Sequence, residues 1–174
     1  HYCCSRRAIV NFVADCMLGK LTRWLRIMGY DVKYSTKLDD CEIIKIIEEE
    51  NRILLTSDLA LYQRTISKNL PAYNVKGTNE TERLAEITQH FNLPVDIDLE
   101  KTRCPKCNAK LQVTNKLEIL EEIKPNTLKY YTTFWKCPFC NAIYWQGAHW
   151  NNIRIRLEQI KEKIKEKKEK NLLA

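Results

Sequence analysis

Short apolar runs and longer amphipathic stretches alternate along the first hundred residues. The apolar run from Ile9 to Ala14 predicts a strand. A helix is expected after it, because apolar residues recur at the spacing of one helix face: Leu18, Leu21, Leu25 and Met28. The same order repeats three more times before residue 92, so four strands and four helices are predicted.

The later repeats have recognisable ends. Strands are predicted at 32–35, 52–56 and 72–75, and helices at 39–50, 60–68 and 79–91. Asp39 with Glu42, and Asn79 with Glu82, have the spacing of helix N-caps with capping boxes. Regular alternation of strand and helix is what a parallel sheet with helical crossovers requires. The pattern therefore predicts an α/β fold with a parallel sheet in a three-layer sandwich.

The pattern changes after residue 91. Residues 92–101 contain Pro94 and have no clear period, which is typical of a linker. Residues 104–150 are rich in cysteine, with strands predicted at 111–113 and 130–135. A helix face returns after Asn151 at Ile153, Leu157, Ile160 and Ile164. We predict three units: an α/β domain over 1–100, a small cysteine-rich module over 101–150 and a basic C-terminal helix or tail over 151–174.

Four of the eight cysteines form two C-x2-C knuckles, Cys104/Cys107 and Cys137/Cys140, separated by 29 residues. Such turns bring two thiolates to one ion, and four thiolates fill the tetrahedral shell of a structural Zn²⁺. Two disulfides or a redox pair are the competing interpretations. A cytosolic setting argues against both. The spacing therefore predicts a zinc ribbon. The remaining thiols are expected to be spare: Cys3, Cys4, Cys16 and Cys41.

Positive charge is concentrated in the C-terminal part of the chain. The net charge of +7 divides into −1 over residues 1–102, +4 over 103–150 and +4 over 151–174. A polyanion would therefore be held mainly by the second half, although a Lys/Glu-rich tail is also typical of a plain solvated helix. No apolar run approaches the roughly 20 residues that span a bilayer, and no signal peptide is recognisable. We expect a cytoplasmic protein without membrane contact.

Aspartates follow three of the predicted strands. Asp15 closes the first strand, Asp40 follows the second beside Asp39, and Asp58 follows the third. The carboxyl ends of parallel strands lie at one edge of a sheet, so these side chains could converge there. Carboxylate oxygens suit Mg²⁺ or Mn²⁺, which would bridge a phosphodiester, activate water and stabilise the leaving oxygen. The competing interpretation is that these aspartates are only helix caps.

Cations and aromatic side chains accompany these acidic residues. Lys20 and Arg23 lie three positions apart on the helix after Asp15, where they could hold a phosphate. In and beside the ribbon, the candidate nucleic-acid contacts are Arg103, Lys136, Trp145 and His149. The aromatic residues of this segment could equally form the small core of the ribbon.

Several ordered motifs resemble a known ribonuclease family. They are Phe12-Val13-Ala14-Asp15, Leu18-Gly19-Lys20-Leu21, Arg23-Trp24-Leu25-Arg26, Gly29-Tyr30-Asp31, Asp39-Asp40, Leu54-Leu55-Thr56-Ser57-Asp58, the two cysteine knuckles, Tyr144-Trp145 and Gly147-Ala148-His149-Trp150. Over about residues 9–157 this set resembles the PIN-like ribonuclease domain named for the C-terminal part of the mut-seven exonuclease. The resemblance implies a PIN-type α/β/α fold, a zinc ribbon and metal-dependent cleavage of RNA. It also implies that Asp15, Asp40 and Asp58 are the acidic site residues, with Glu42 and Glu82 as candidates for a fourth.

Two classes of function follow from these features. The first is a Mg²⁺- or Mn²⁺-dependent endoribonuclease whose ribbon and basic tail grip RNA. The second is a non-catalytic RNA- or ribosome-binding zinc-ribbon protein whose α/β domain is a scaffold. The expected partner is RNA, with ribosomal RNA or the ribosome as one form of it. A toxin-like nuclease with an antitoxin-like protein partner is a minor alternative.

Overall fold

The computed structural model describes residues 9–173. Residues 1–8 and 174, and with them the predicted spare thiols Cys3 and Cys4, lie outside this described part. Four strand–helix pairs come first: β1 (Phe12–Ala14), α1 (Gly19–Ile27), β2 (Val32–Tyr34), α2 (Asp40–Glu50), β3 (Ile53–Thr56), α3 (Leu59–Ser67), β4 (Ala72–Asn74) and α4 (Glu80–His90). The predicted β-α order is confirmed through all four repeats.

The first four strands form one parallel sheet in the order β2-β1-β3-β4. In this register Ala14, at the end of β1, is paired with Tyr34 of β2 on one side and Leu55 of β3 on the other. Because the strands are parallel, the loops after β1, β2 and β3 leave the sheet at the same edge. The predicted acidic residues belong to these loops and to the helix starts that follow them.

Strand side chains alternate between two layers of helices. Phe12, Ala14 and Leu55 lie in one core with α1 and α4, whereas Val13 and Leu54 lie in a second core with α2 and α3. Successive residues of a strand point to opposite faces of the sheet. The result is the three-layer α/β/α arrangement that the sequence predicts.

Two helices near the sheet edge begin with the predicted caps. Asp39 accepts a hydrogen bond from the Glu42 amide at 2.8 Å, and Glu42 accepts one from the Asp39 amide, which completes the capping box of α2. Asn79 caps α4 through the Glu82 amide. The Glu82 carboxylate does not return to the cap but accepts from both the amide and the hydroxyl of Thr78, which together offer two donors.

The cysteine-rich module is a small antiparallel sheet. Its strands are β5 (Gln112–Thr114), β6 (Phe134–Lys136) and β7 (Ile143–Tyr144), in the order β5-β6-β7. The strand predicted over 130–135 is wrong at its start, because residues Pro125–Tyr130 form a short helix, α5. Pro125 occupies its first turn, where the fixed φ of proline favours a helix. β7 was not predicted, since two residues are too few for a periodic signal.

The C-terminal helix α6 (Ala148–Leu173) packs on the α/β domain. Its predicted apolar face is confirmed, because Ile153, Leu157 and Ile160 are buried in the core shared with α1 and α4. The helix begins before Asn151, so the boundary predicted at 150 lies within its first turn. None of the helices in residues 9–173 is long and apolar enough to cross a membrane.

Two of the lysines in α6 are engaged with the body of the protein. Lys161 Nζ lies 3.0 Å from a carboxylate oxygen of Asp96, and Lys163 Nζ lies 3.5 Å from one of Glu82. The Lys161–Asp96 pair is exposed and contributes little to stability, whereas the Lys163–Glu82 pair is partly buried. The side chains after Ile164 are exposed up to Leu173, so the basic end of the helix projects beyond the core.

Candidate functional site

The four knuckle cysteines converge in the ribbon. Their sulfur atoms all lie within 4.8 Å of one another, with 3.6 Å between Cys104 and Cys140 and 3.3 Å between Cys107 and Cys137. A disulfide requires about 2.05 Å between sulfurs, whereas tetrahedral Zn–S bonds of about 2.3 Å place them about 3.8 Å apart. The cysteines are free thiols, and the donor set and spacing fit one structural zinc ion.

Both knuckles have the same backbone geometry. In each, the first cysteine donates its amide to the alanine five residues on, and the asparagine after the second cysteine donates to the carbonyl of the first. Asn108 and Asn141 both adopt a left-handed backbone, with φ of 73° and 61°. Asparagine tolerates this conformation better than other residues with a Cβ. Both knuckles therefore form the same turn, and each turn brings two sulfur atoms to the shared cluster.

The first knuckle is attached to the α/β domain at β2. The Asn108 side chain accepts from the Val32 amide at 3.1 Å and donates to the Asp31 carboxylate at 2.7 Å. Arg26, buried in α1, donates to the carbonyls of both Val32 and Pro105. The ribbon thus satisfies the backbone of an edge strand that would otherwise need water or another partner.

Asp31 is the centre of an ionic network at this junction. Its carboxylate lies 2.8 Å from Arg52 Nη1 and 3.7 Å from Arg103 Nη2. Burial opposes ionisation of Asp31, but the hydrogen bonds from Arg52 and Asn108 outweigh it and hold its pKa below the ordinary value of 3.8. The network joins the α/β domain to the ribbon through residues that lie far apart in the chain.

Replacing this carboxylate has an expected cost. We expect Asp31→Asn to lower the free energy of unfolding at neutral pH by about 2 kcal/mol, because hydrogen bonds to charged groups are lost. The pKa of Asp31 is lower in the folded protein than in the unfolded chain, where it is near 4, so its carboxylate stabilises the fold at pH values above about 4. This stabilisation is lost as the pH falls through the pKa of the folded state.

Urea unfolding of wild type and Asp31→Asn at several pH values measures this difference. The gap between them should be full at neutral pH and close at strongly acidic pH. Asp98→Asn, which changes an exposed carboxylate paired with Lys101, is the control and should cost little. A gap that stays constant with pH would show that Asp31 acts through packing alone.

The predicted acidic residues Asp15 and Asp58 are linked through one threonine. The Thr56 hydroxyl donates to Asp15 Oδ2 at 3.0 Å and accepts from the Asp58 amide at 3.0 Å. Asp15 is only 7% exposed. The Asp58 carboxylate caps α3 by accepting from the amides of Ala60 and Leu61, both at its Oδ1 atom. Both cap hydrogen bonds of Asp58 engage the same oxygen, whereas Asp15 also hydrogen-bonds the Cys16 thiol, whose pKa this raises.

The third predicted acidic residue, Asp40, is exposed in the first turn of α2. Its carboxylate lies 3.9 Å from Arg64 of α3, and the same guanidinium donates to the Cys41 sulfur at 3.3 Å. Arg64 lies in the last turn of α3, at the opposite end from Asp58, and it is the place of α2 directly after β2 that sets the position of Asp40. Asp40 therefore belongs to the same edge of the sheet, although it is more exposed than Asp15.

The three aspartates offer carboxylate oxygens to a divalent cation. Their hard oxygen donors are of the kind that Mg²⁺ and Mn²⁺ prefer. Within residues 9–173, however, the group of three or more metal-ligating side chains at shared-ion distance is the cysteine cluster, and Asp15, Asp40 and Asp58 do not form another. The donor chemistry of the three carboxylates fits such a cation, but they would have to move closer together to share one.

The candidates for a fourth acidic residue are used locally. Glu42 completes the capping box of α2. Glu82 accepts from Thr78 and pairs with Lys163, and these hydrogen bonds, chiefly from the Thr78 amide, lower its pKa to about 2. Both carboxylates thus have structural partners in this arrangement.

The predicted nucleic-acid contacts separate into two groups. Lys20, Arg23 and His149 line one open cleft of about 380 Å³ between α1, the first knuckle and the start of α6. We call it the basic cleft. Trp145 lines an adjoining apolar cavity together with His149. Among the described residues, the three cleft residues have no charged partner.

The other two predicted contacts are engaged in the fold. Arg103 pairs with Asp31 and donates to the Asn108 carbonyl, and Lys136 Nζ lies 2.7 Å from Glu122. Their nucleic-acid role stays a prediction, and the geometry favours a structural one. Conversely, Lys106 lines the basic cleft without having been singled out. Lys106 lies between two ligand cysteines, and only the docking of the knuckle shows which way it faces.

One family accounts for the whole arrangement. The Mut7-C RNAse domain matches residues 10–157. That range runs from β1 into α6 and contains the three aspartates at the sheet edge, the basic cleft and all four knuckle cysteines. No curated protein and no solved structure matches the chain significantly. Since the match spans both the α/β domain and the ribbon, the chain belongs to the Mut7-C RNAse domain family.

Proposed function

We propose that the protein is a metal-dependent endoribonuclease that cleaves RNA phosphodiester bonds with Asp15, Asp40 and Asp58. The observation that carries this proposal is that Asp15 and Asp58 follow adjacent parallel strands and share the Thr56 hydroxyl. Membership of an RNAse domain family supports RNA as the substrate. A PIN-like character of the site is part of the same proposal.

Each aspartate has a distinct task in this proposal. Asp15, nearly buried and held by Thr56, is the most rigid ligand for a divalent cation. Asp58 contributes the carboxylate oxygen that its helix cap does not use, and Asp40 completes the set from α2. Bound Mg²⁺ or Mn²⁺ supplies charge neutralisation at the phosphate and activation of water. The positions of these three carboxylates would determine where the scissile phosphate binds.

The ribbon and the tail are assigned to binding. Structural zinc holds the ribbon against β2, and residues 103–174 carry the excess positive charge that attracts RNA. A cytoplasmic location stays a prediction, and it is the reducing setting in which four thiolates bind zinc rather than pair as disulfides. Ribosomal RNA, the ribosome and an antitoxin-like protein are partners that also stay predictions.

A non-catalytic RNA-binding role is the second candidate. It is favoured by one observation, namely that the three carboxylates do not lie at shared-ion distance within the described residues. In that case the aspartates would serve as helix caps and ion-pair partners, and the basic cleft would bind RNA without cleavage.

The test is cleavage of end-labelled single-stranded and hairpin RNAs by the zinc-loaded protein with Mg²⁺, with Mn²⁺ and with neither. We expect internal cuts that require one of the two cations. RNA that is retained by the protein but never cut, under any of these conditions, would overturn the proposal in favour of the non-catalytic role.

A further inference from the structure

We propose that the α/β domain and the ribbon together form a binding site for one unpaired nucleotide of single-stranded RNA. Its base would enter an apolar cavity lined by tryptophans, and its phosphate would lie in the basic cleft. The inference rests on the proposed action on RNA and adds which form of RNA is recognised and where.

The apolar cavity, which we call the Trp cavity, lies between the ribbon and the start of α6. Trp135, Trp145 and Trp150 line it, from three different segments, and it encloses about 100 Å³. A single water needs only about 10–15 Å³ by this measure, so the space admits the edge of a flat ring. Trp135 is buried, whereas Trp145 and Trp150 are partly exposed and can meet a base from outside.

Trp145 is held in place by its neighbours. Its ring packs against Phe134, with 6.2 Å between the ring centroids. A Cβ atom at Gly147 would lie 2.9 Å from Trp145 Nε1, closer than real Cβ contacts come. The absence of a side chain at Gly147 therefore lets the indole lie over the turn. A fixed aromatic face loses little entropy when a base stacks on it.

Polar groups at the mouth of the Trp cavity suit a base. Gln146 and His149 both line the cavity and are exposed. The amide of Gln146 offers two donors and an acceptor, and the imidazole of His149 offers one of each when neutral. Such groups can bond to the edge of a base whose ring is stacked.

The basic cleft adjoins the Trp cavity and supplies the charge that a phosphate requires. The two spaces share the lining residues Ile27, Pro105, Tyr144, His149 and Ile153. The cleft adds Lys20, Arg23 and Lys106, and no carboxylate lines it among the described residues. None of these three cations forms an ion pair within residues 9–173, unlike Arg103 and Lys136. An aromatic cavity beside unpaired cations is the combination that binds single-stranded nucleic acid.

The arrangement favours an unpaired nucleotide over a duplex. In an A-form helix the bases are stacked and paired, so their faces cannot reach an indole recessed beside a cleft. An unstacked base in a loop or a single strand can turn outward and enter. Lys20 lies in the first turn of α1, which follows Asp15 after one short turn. A strand held in the cleft therefore runs toward the edge of the sheet that holds the aspartates.

The test is binding of a fluorescently labelled oligoadenylate and of its duplex to the zinc-loaded full chain without added Mg²⁺ or Mn²⁺. We expect Trp145→Leu, which keeps an apolar side chain, to weaken single-strand binding roughly tenfold, because one base loses its stacking partner. Trp145→Phe should restore most of the affinity. The duplex should bind more weakly and respond to neither change.

The phosphate part of the site has its own variant and controls. Lys20→Gln with Arg23→Gln, both on the surface, should reduce the slope of log affinity against log salt by about 0.7, the value for one phosphate contact on a single strand. Lys45→Gln with Lys68→Gln removes the same charge from exposed positions in α2 and just after α3, outside residues 103–174, and should leave binding unchanged. Phe139→Leu, which alters an aromatic residue that is 80% exposed outside the cavity, should also leave it unchanged.

These outcomes separate the site from the nuclease. If RNA is never cut but Trp145→Leu and the double lysine–arginine variant weaken binding as stated, the nucleotide site stands without catalysis. If RNA is cut and Trp145→Leu, folded and zinc-loaded, leaves both the affinity and KM at wild-type values, the site is wrong while the nuclease stands. An equal loss of duplex and single-strand affinity in Trp145→Leu would also overturn it.

Discussion

Asp58→Asn is expected to abolish most RNA cleavage while leaving the protein folded. Asparagine caps helices about as well as aspartate, so α3 keeps its hydrogen bonds from Ala60 and Leu61. The charge that would hold a divalent cation is lost, and we expect the cleavage rate to fall by at least about a hundredfold. Single-turnover cleavage with saturating Mn²⁺, together with thermal unfolding of the same sample, separates catalysis from stability.

The chain offers a matched control for this substitution. Asp39→Asn makes the same change at another helix cap, where the carboxylate bonds to the Glu42 amide, and cleavage should stay at the wild-type rate. Asp15→Asn keeps an acceptor for the Thr56 hydroxyl and should behave like Asp58→Asn. Undiminished cleavage by both Asp15→Asn and Asp58→Asn would mean that the carboxylates at the sheet edge do not perform the reaction.

Removal of zinc is expected to unfold the ribbon and to loosen the α/β domain as well. Structural zinc in small modules contributes on the order of 10 kcal/mol of apparent binding free energy at neutral pH, more than the ribbon's small core can replace. Because Asn108 of the first knuckle accepts from the Val32 amide, the outer edge of β2 should lose its partner. Hydrogen exchange with and without a chelator measures this for individual amides.

The exchange pattern distinguishes coupling from general unfolding. The Val32 amide should become fast when zinc is removed, whereas the Leu54 amide, which donates to the Pro71 carbonyl between β3 and β4, should stay protected. Cys137→Ser should reproduce the effect of the chelator, and Cys41→Ser, which changes an exposed thiol outside the ribbon, should not. Continued protection of Val32 without zinc would show that the knuckle keeps its shape without the ion.

The elements that were predicted correctly have local causes. Leu21 and Leu25 mark one face of α1 whatever lies opposite, and Asp39 with Glu42 closes a capping box within one turn. Helix α5 was missed because the aromatic and β-branched residues directly after it favour a strand, and the predicted strand was extended back into the helix. Asn79 caps α4 as predicted, but the Glu82 carboxylate bonds to Thr78, which offers it two donors just before the cap.

The cysteine cluster, the aspartates and the Trp cavity also differ in how far the sequence alone could predict them. Each cysteine knuckle is a turn of four residues, so its ligands could be recognised from spacing alone, and the structure brings both pairs together. The aspartates were found from their positions after strands, but their separation and the Thr56 link depend on how β1 and β3 pair. The Trp cavity needs β6, the turn after β7 and α6 at once, and no short segment contains that information.

The sequence by itself determined the order of strands and helices and which four cysteines converge, because these follow from periodicity and from turns a few residues long. Only the tertiary structure decided which charges are available to a ligand. Arg103 meets Asp31 and Arg26 meets Pro105 across more than 70 residues of chain. Lys20 and Arg23, by contrast, have no ion-pair partner among residues 9–173. A residue's charge is local, but its partners are those that folding brings to it.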